Sequence, residues 1–206
     1  MLGLIDYGAG NLASVRKALA AVGADVFTPE RPHDLDRAAG IIIPGVGHFA
    51  ATRAIEAEWR RAILSAVGRG IPLLGICLGL QYLFDGSDEA PGVAGLGLLQ
   101  GRCTPLPPTV KVPHVGWNDL RLERPSALLD GIADGTQVYF THSYAAPVTD
   151  ATVAWAEHGP RFTAAVERER VFGVQFHPEK SGDAGLRVLR SFVQLTNSPS
   201  HQATKC

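Results

Sequence analysis

Leu73-Leu74-Gly75-Ile76-Cys77-Leu78-Gly79-Leu80-Gln81 places a cysteine between two glycines, directly after an apolar run. The run predicts a buried strand, and the glycines allow a sharp turn into a helix because they carry no Cβ atoms that would clash. Cys77 would then stand at a helix amino end, where the helix dipole favours a thiolate, and the N–H of Leu78 would face a developing oxyanion. A buried cysteine in a glycine-rich turn explains this segment equally well, so both interpretations stay open here.

A second stretch, Val171-Phe172-Gly173-Val174-Gln175-Phe176-His177-Pro178-Glu179, is an apolar strand that ends in His-Pro-Glu. A cysteine nucleophile needs a base to accept its proton, and the base needs an acceptor that orients it. His177 and Glu179 are two residues apart, so an extended backbone points both to the same side. A lone histidine is more commonly a core residue. Together, however, the two stretches favour a Cys77–His177–Glu179 triad far more strongly than either does alone.

The first part of the chain alternates apolar strands with amphipathic helices, which predicts a parallel sheet covered on both faces. The later part is richer in strands, some of them antiparallel, before a final helix closes the fold. The sequence therefore predicts an α/β class with a mixed, largely parallel central sheet flanked by helices, in one domain over residues 1–196 with a disordered tail over 197–206. The predicted strands are 2–6, 24–28, 40–44 and 72–76, and the later segments predicted to be rich in strand are 96–106, 111–122, 137–147, 152–157 and 162–176. The predicted helices are 11–22, 49–67 and 182–195.

Composition limits the classes of function. The 206 residues are 46% hydrophobic and 19% charged, and the net charge of −1 provides no basic field for nucleic acid or an anionic membrane. No apolar run is long enough to span a bilayer, and the N-terminus has no basic segment or cleavage site of a leader, so a cytoplasmic location is expected. Cys77, Cys103 and Cys206 are too few for a disulfide framework and have no zinc-site spacing, so no metal is expected.

With the triad residues assembled, the chain resembles the triad-type, or class I, glutamine amidotransferases, whose fold is flavodoxin-like. Within them it resembles the glutaminase subunits of imidazole glycerol phosphate synthase. The resemblance covers most of the chain, from about Leu4 to Ser191. The segments that carry it, besides the two already quoted, are Asp6-Tyr7-Gly8-Ala9-Gly10-Asn11-Leu12, Pro44-Gly45-Val46-Gly47, Gly86-Ser87-Asp88-Glu89-Ala90-Pro91-Gly92, Lys111-Val112-Pro113-His114-Val115-Gly116-Trp117-Asn118 and Tyr139-Phe140-Thr141-His142-Ser143-Tyr144.

The resemblance implies hydrolysis of L-glutamine to glutamate and ammonia, without a cofactor. Cys77 would attack the carboxamide, the N–H groups of Val46 and Leu78 would hold the oxyanion, and His177 would move the protons. Gln81 and Glu89 would hold the amino-acid end of the substrate, with Glu89 on the α-ammonium. The other substrate-binding residues would be Gly45, Gly47, His142 and Ser143.

The resemblance also implies a protein partner, because ammonia released to water would be lost and the chain has no Walker loop or dinucleotide fingerprint for an acceptor. That partner would be a (β/α)₈ cyclase in a heterodimer. The surface expected to contact it carries Asn11, Trp117, Tyr139 and Lys180, with a core position as the alternative for Trp117.

Three other classes of protein compete with this interpretation. The glutaminase subunit of pyridoxal phosphate synthase would carry Pro-Gly-Gly-Glu-Ser where this chain has Pro44-Gly45-Val46-Gly47-His48. A non-catalytic regulatory homologue would have a broken triad, and a cysteine peptidase or thiol hydrolase leaves the Val-Pro-His-x-Gly-Trp-Asn segment unexplained. His48 stands where the resemblance leads us to expect a small residue, and we interpret it as a surface histidine at a helix start.

Overall fold

The computed structural model describes residues 1–197 and contains thirteen strands and four α-helices within them. The strands are β1 (Leu2–Leu4), β2 (Val26–Phe27), β3 (Gly40–Ile43), β4 (Leu73–Ile76), β5 (Gly86–Ser87), β6 (Arg102–Pro105), β7 (His114–Asp119), β8 (Arg121–Leu122), β9 (Gln137–His142), β10 (Tyr144–Ala145), β11 (Thr152–Glu157), β12 (Arg161–Arg168) and β13 (Val171–Val174). The helices are α1 (Leu12–Ala21), α2 (Ala57–Gly68), α3 (Leu78–Leu83) and α4 (Gly182–Asn197), and short 3₁₀ helices span Pro32–Arg37, Phe49–Ala54 and Pro178–Lys180.

An eight-stranded sheet in the order β2-β1-β3-β4-β13-β12-β11-β8 forms the centre of the molecule. The pairs from β2 to β13 are parallel, and those from β13 to β8 are antiparallel. In the register, Gly75 of β4 lies opposite Ile43 of β3 and Ile76 lies opposite Val174 of β13. The carboxyl ends of β3, β4 and β13 therefore meet at one edge, where ligands of parallel sheets usually bind.

Apolar residues of the parallel strands cover both faces of this sheet, as the continuous apolar runs predict. Ile42 packs in one core cluster with α1 and α4, whereas Ile41 and Ile43 pack in a second cluster with α2 and α3. The predicted mixed, largely parallel sheet with flanking helices is confirmed. None of the helices within residues 1–197 has the length and apolar character that a bilayer crossing requires.

Two smaller sheets lie beside the main one. Strands β7 and β9 form an antiparallel ribbon, and β5, β6 and β10 form a three-stranded sheet. In the segment 96–106, predicted to be rich in strand, only Arg102–Pro105 is a strand, so the prediction is wrong over its first half. Gly97 and Gly101 have φ of +67° and +108°, and the N–H of Leu96 is bonded to Tyr82, so this segment is a loop tied to α3.

The predicted helix 49–67 is also interrupted. A 3₁₀ helix ends at Ala54, and α2 begins at Ala57 after an extended residue, Glu56, at its amino cap. Phe49 and Ile55 are both buried in the second cluster, which the bend between the two helices permits. At the C-terminus α4 extends to Asn197, one residue beyond the predicted domain end, and the rest of the predicted tail lies outside the described residues.

Candidate active site

Cys77 lies between β4 and α3 at the carboxyl edge of the main sheet. Its φ and ψ are 53° and −104°, a region that residues other than glycine rarely adopt. The backbone is held there because the Cys77 N–H donates to the Val174 carbonyl at 2.8 Å and the Cys77 carbonyl accepts from Gln81 at 3.1 Å. The side chain is buried, and its Sγ lies 3.8 Å from the Thr141 carbonyl oxygen.

The two glycines of the turn are required by close backbone contacts. A Cβ at Gly75 would lie 2.5 Å from the Gly79 carbonyl oxygen, and a Cβ at Gly79 would overlap the Ile43 carbonyl oxygen. Side chains at these positions would push α3 away from the ends of β3 and β4. The clash-avoiding role predicted for both glycines therefore agrees with the structure.

His177 and Glu179 follow β13, the strand next to β4. The backbone N–H of His177 donates to the Tyr139 carbonyl at 2.8 Å, which ties the end of β13 to the β7–β9 ribbon. Its Nδ1 donates to Oε1 of Glu179 at 2.8 Å, and both side chains are buried. Because Nδ1 is bonded to Glu179, Nε2 is the ring nitrogen that can exchange a proton with other groups. Within residues 1–197 no hydrogen bond to this buried Nε2 is formed, which leaves it available for proton transfer.

The electrostatics of His177 reflect opposing influences. Burial alone would lower its pKa, but interactions with the Cys77 thiol and with the Glu179 carboxylate raise the pKa to about 10. The imidazolium is thus stabilised by its two neighbours, as in a base that must hold a proton during catalysis.

A cavity of about 260 Å³ opens onto Cys77. It gathers nearly all of the predicted substrate-binding and oxyanion residues at one place. Its lining consists of Val46, Gly47, Cys77, Leu78, Gln81, Glu89, Pro113, Thr141, His142, Ser143 and Tyr144. Gly45 is absent from this lining: it packs behind it, where a Cβ would strike the Tyr7 hydroxyl and Leu78.

The polar side chains that line the cavity already form some of their hydrogen bonds with protein groups. Gln81 donates through Nε2 to the Tyr144 carbonyl at 2.8 Å and to Gln175 at 3.1 Å. Glu89 accepts from the Phe49 N–H through Oε2 at 2.7 Å. His48 caps the same 3₁₀ helix by accepting from the Ala50 N–H at 3.1 Å, which agrees with its interpretation as a histidine at a helix start.

Of the two predicted oxyanion donors, one is engaged in a hydrogen bond and the other is turned away in this conformation. The Leu78 N–H donates to the Gly45 carbonyl oxygen at 3.4 Å. The Gly45–Val46 peptide is trans, so its N–H points opposite to its carbonyl and therefore away from Leu78. The Tyr7 hydroxyl donates to the Pro44 carbonyl at 2.8 Å and holds the start of this segment.

The four predicted interface residues lie close to the triad or to one another. Asn11 and Lys180 line a small cavity together with Val46, His177 and Glu179. Lys180 lies over the ring of Tyr139, with Nζ 5.7 Å from its centre, and the Trp117 ring packs edge-on against the same tyrosine at 6.1 Å. Trp117 is 55% exposed, so the alternative of a core tryptophan is wrong.

Sequence reasoning missed several residues of the site. Gln175 is fully buried and donates through Nε2 to Cys77 Sγ at 3.5 Å. Its signal was available: it is the polar residue two positions before His177 in an apolar strand, so it points to the same side. Three other residues of the site take part through backbone atoms or packing: Thr141, Tyr144 and Pro113. The type of residue at these positions therefore gives no indication of their role.

Within residues 1–197, His, Cys, Asp and Glu side chains form no group of three that could hold a metal ion. A strained cysteine, a buried histidine and a carboxylate bonded to that histidine lie on adjoining strand ends, and these groups can supply a nucleophile, a base and an orienting acceptor. Such an arrangement is suited to acyl transfer through a thioester. The fold and this site define a cysteine-dependent amidotransferase class.

Comparison with known proteins gives the same class. The chain belongs to the class I glutamine amidotransferase family, whose family model matches residues 3–195.

Named relatives are similar over almost their whole length. The chain is 46% identical to the imidazole glycerol phosphate synthase subunit HisH of Methanothermobacter thermautotrophicus, over 95% of this chain and 98% of the relative. It is 48% identical to the subunit HisH of Moorella thermoacetica, over 94% of each chain.

Among solved structures, a glutamine amidotransferase crystal structure matches with a TM-score of 0.75 at 18% identity, over 96% of this chain and 99% of that one. The structure of PurLQS from Thermotoga maritima matches with a TM-score of 0.71 at 22% identity, over 94% of this chain and 97% of that one. These two structures show that the fold is shared.

Proposed function

We propose that this chain is the glutaminase subunit of an imidazole glycerol phosphate synthase in histidine biosynthesis. It hydrolyses L-glutamine and delivers the ammonia to a (β/α)₈ cyclase with which it forms a heterodimer. One observation carries the proposal: Cys77 stands in a strained turn on β4 beside the buried His177–Glu179 pair on β13, in a chain 46% identical to a HisH subunit. The sparse cysteines, with Cys77 and Cys103 free, suit a reducing compartment, and we place the protein in the cytoplasm.

The first half of the reaction forms a thioester. The Cys77 thiol gives its proton to Nε2 of His177, and Sγ forms a bond to the carboxamide carbon, whose carbonyl electrons move to oxygen. The tetrahedral intermediate collapses as the C–N bond breaks. His177 gives its proton to the leaving nitrogen, which departs as ammonia. The raised pKa of His177 favours holding that proton until the nitrogen accepts it.

The second half releases glutamate. A water molecule gives a proton to His177 and its oxygen attacks the thioester carbon. The C–S bond then breaks, the sulfur recovers the proton from His177, and glutamate leaves. Glu179 orients the ring in both halves through the bond to Nδ1. Oε1 of Glu89, whose other oxygen is bonded to Phe49, is available for the substrate α-ammonium.

The competing classes explain less. The Pro-Gly-Gly-Glu-Ser segment expected of a pyridoxal phosphate synthase subunit is absent from residues 44–48, and the relatives named above are HisH subunits. A non-catalytic homologue would have no need of a complete, buried triad. A peptidase would need an open cleft for a chain, whereas the cavity of about 260 Å³ suits a single amino acid.

Replacing Cys77 with alanine tests this function. Cys77→Ala should reduce glutamine hydrolysis to background, because Cys77 is the one thiol among the cavity-lining residues within 1–197. With the cyclase and added ammonium salts, the same variant should still support product formation. Cys103→Ala is the matched control, since Cys103 is a buried free cysteine outside the cavity, and it should keep its glutaminase activity. Clear residual hydrolysis by Cys77→Ala would assign the nucleophile elsewhere.

We also propose that the described conformation is a resting state. The Leu78 N–H is engaged by the Gly45 carbonyl, and the Val46 N–H is turned away, so neither donor can receive an oxyanion. Rotation of the Gly45–Val46 peptide would free both. Val46 is 40% exposed and lines the small cavity with Asn11 and Lys180, so a docked partner can reach it. Each oxyanion donor contributes roughly 10²–10³ in rate.

Three rates test the resting-state proposal. Glutamine turnover should be slow for the chain alone, faster with the cyclase, and fastest with the cyclase and its ribotide ligand. The expected increase is at least about 10²-fold, the contribution of one oxyanion donor. Equal rates in all three conditions would contradict the proposal while leaving the glutaminase assignment intact. Val46→Pro, which deletes the N–H, should depress the fully activated rate.

A further inference from the structure

Gln175 occupies an unusual position for an uncharged polar residue. It follows β13 directly, is 0% exposed, and its backbone N–H donates to the Ala164 carbonyl at 2.9 Å. Successive side chains of an extended segment point to opposite sides, so Gln175 and His177 face the same way while Phe176 packs in the core. Burial of an amide is costly unless its hydrogen bonds are made, so this side chain requires an explanation.

The amide of Gln175 connects the nucleophile to the substrate cavity. Its Nε2 donates to Cys77 Sγ at 3.5 Å, and its Oε1 accepts from Gln81 Nε2 at 3.1 Å. Gln81 Nε2 also donates to the Tyr144 carbonyl at 2.8 Å. A carbonyl oxygen can only accept, so the nitrogen of Gln81 must face Tyr144. The oxygen of Gln175 must then face Gln81, which leaves its N–H directed at the sulfur.

A second chain of donors converges on the Tyr144 carbonyl from the other side. His142 Nδ1 donates to the Tyr144 carbonyl at 3.0 Å, so its Nε2 accepts, and it accepts from His114 Nδ1 at 3.0 Å. His114 Nε2 accepts in turn from Asn118 Nδ2 at 3.3 Å. Burial lowers the pKa of His114 to about 4, so both rings stay neutral and keep these tautomers.

The environment of Cys77 Sγ leaves a role for such a donor. The Thr141 carbonyl oxygen, 3.8 Å away, would repel a thiolate. Among the side chains of residues 1–197, Gln175 supplies the N–H that is hydrogen-bonded to this sulfur. N–H donors stabilise an ionised acceptor more than a neutral one, so the contact favours the thiolate.

We propose that Gln175 is a further catalytic residue of the glutaminase reaction: its amide N–H stabilises and aims the Cys77 thiolate, and Gln81 is the positioning residue that fixes the direction of that amide. The proposal deepens the function proposed above and rests on it for the identity of the substrate. It also changes the role of Gln81, whose two donor hydrogens are engaged by protein groups. Its Oε1, which accepts no hydrogen bond among the described residues, is left for the substrate ammonium.

Alkylation of Cys77 by iodoacetamide, measured against pH, tests the proposal without requiring glutamine turnover. The rate is read from the Cys77 peptide by mass spectrometry in the full chain. The other ionisable groups around Cys77 are the same in every variant and are His177 and Glu179 after β13, His142 on β9, Glu89 across the cavity, and Tyr7 beside the oxyanion segment.

Gln175→Met keeps the length of the side chain and removes the donor. The pH midpoint of alkylation should rise by about one unit, the order expected for one hydrogen bond to a charged group. Turnover with the cyclase should fall about tenfold at neutral pH, in proportion to the lost thiolate. Gln175→Glu keeps the shape and the bond from Gln81 but directs an acceptor at the sulfur, so its midpoint should rise further. Gln137→Met, at an exposed glutamine on β9, is the matched control and should change neither quantity.

The outcomes are distinct. An unchanged alkylation midpoint in folded Gln175→Met or Gln175→Glu would overturn the proposal, and if the methionine variant fails to fold, the nearly isosteric glutamate variant decides it. Near-ultraviolet circular dichroism reports folding. If the wild-type chain alkylates as expected but does not hydrolyse glutamine with the cyclase, the proposed function fails while the role of Gln175 at the thiolate stands.

Discussion

Cys77 shows at the residue scale how the fold sustains an unfavourable conformation. Its φ of 53° brings Cβ close to the backbone, which costs of order 1–3 kcal/mol for a residue other than glycine. Backbone hydrogen bonds to Val174 and Gln81 on either side fix the turn, so the strain persists in the folded chain. The benefit is functional, because the turn presents the sulfur to the cavity and not to the core.

This strain predicts an inverted order of stability between two small substitutions. Cys77→Gly and Cys77→Ala both remove the sulfur, but only glycine adopts the conformation without strain. We expect Cys77→Gly to be more stable than Cys77→Ala by about 1 kcal/mol, the reverse of the usual order. Urea unfolding of both variants measures the difference. A more stable alanine variant would show that the turn is not strained.

Substitution of the histidine and substitution of the carboxylate of the triad should reduce glutamine turnover to different extents. His177→Asn should be nearly as damaging to glutamine turnover as Cys77→Ala, because triad members act as a unit. Glu179→Gln should do less harm, since an amide oxygen can still accept from Nδ1 of His177. Steady-state kinetics of the heterodimer provide the comparison. The role assignment is wrong if Glu179→Gln is the more damaging of the two.

The residues of the site differed in how well the sequence predicted them, for a physical reason. Cys77, His177 and Glu179 carry chemistry in their side chains, and their flanking glycines and proline mark unusual backbone, so they were predicted. Gln175 was missed because an amide has no reactivity of its own and acquires a role only through what it faces. The engagement of the Leu78 N–H by Gly45 concerns backbone orientation, which residue type does not encode.

At the scale of elements, the ribbon of β7 and β9 supports the cavity through two neutral histidines. His114 and His142 face each other across the ribbon, in register, and His114 stacks on Phe140 and on His158. Burial lowers the pKa of His114 to about 4 and that of His142 to about 3. Protonation of either ring would place two donors against each other and break the chain of hydrogen bonds.

These two histidines predict a loss of stability in acid. Below pH 6.5 the unfolded chain takes up protons that the folded ribbon does not, so the free energy of unfolding falls as the pH drops from 6.5 towards 4. His114→Asn keeps an N–H for His142 but does not titrate. It should reduce the pH dependence over that window by about one proton. Denaturant unfolding at several pH values measures it, with exposed His33→Asn as control. An unchanged slope in His114→Asn would contradict the prediction.

His177 contributes with the opposite sign. Its pKa in the folded chain is raised to about 10, so its stabilisation is complete below pH 6.5 and is lost as the pH rises towards 10. The free energy of unfolding should therefore be greatest between two pH ranges. In the acidic range the ribbon histidines lower it, and in the alkaline range deprotonation of His177 lowers it.

Element type was predicted better than element length. The parallel strands were predicted because they are short apolar runs bounded by glycine or proline, and β11 has the predicted bounds, residues 152–157. The segment 96–106 contains less strand than predicted, and the helix 49–67 was predicted too long. In both segments, apolar residues belong to a loop or a bend that packs against α3 or the second core cluster. Hydrophobicity alone does not distinguish such a loop or bend from a regular strand or helix.

At the scale of the whole molecule, four of the six large apolar residues that are exposed within residues 1–197 belong to segments beside the site. Val115 and Trp117 lie on the outer side of β7, and both are more than half exposed. Val46 and Val112 directly precede the cavity residues Gly47 and Pro113 in the sequence. Exposed aromatic and aliphatic side chains near a reaction site suit a protein interface.

Removing the tryptophan at this surface should weaken the heterodimer. Trp117→Ala should raise the dissociation constant for the cyclase at least about tenfold, as expected for an interface tryptophan, and should uncouple glutamine hydrolysis from product formation. The melting temperature of the isolated chain should hardly change, because Trp117 is 55% exposed. Calorimetric titration measures the affinity. Trp155→Ala, on β11, is the control and should bind normally; an unchanged affinity in Trp117→Ala would remove it from the interface.

The pairing of β4 with β13 has a consequence for the synthesis of the protein. Cys77 and Gln175 are 98 residues apart in the chain, and β13, which His177 follows, is the last strand within residues 1–197. A growing chain therefore exposes its thiol long before the histidine, the glutamate and the amide that activate it exist. Until β13 pairs with β4, the nascent polypeptide has Cys77 but not the groups that activate it. Incomplete chains therefore do not hydrolyse the glutamine around them.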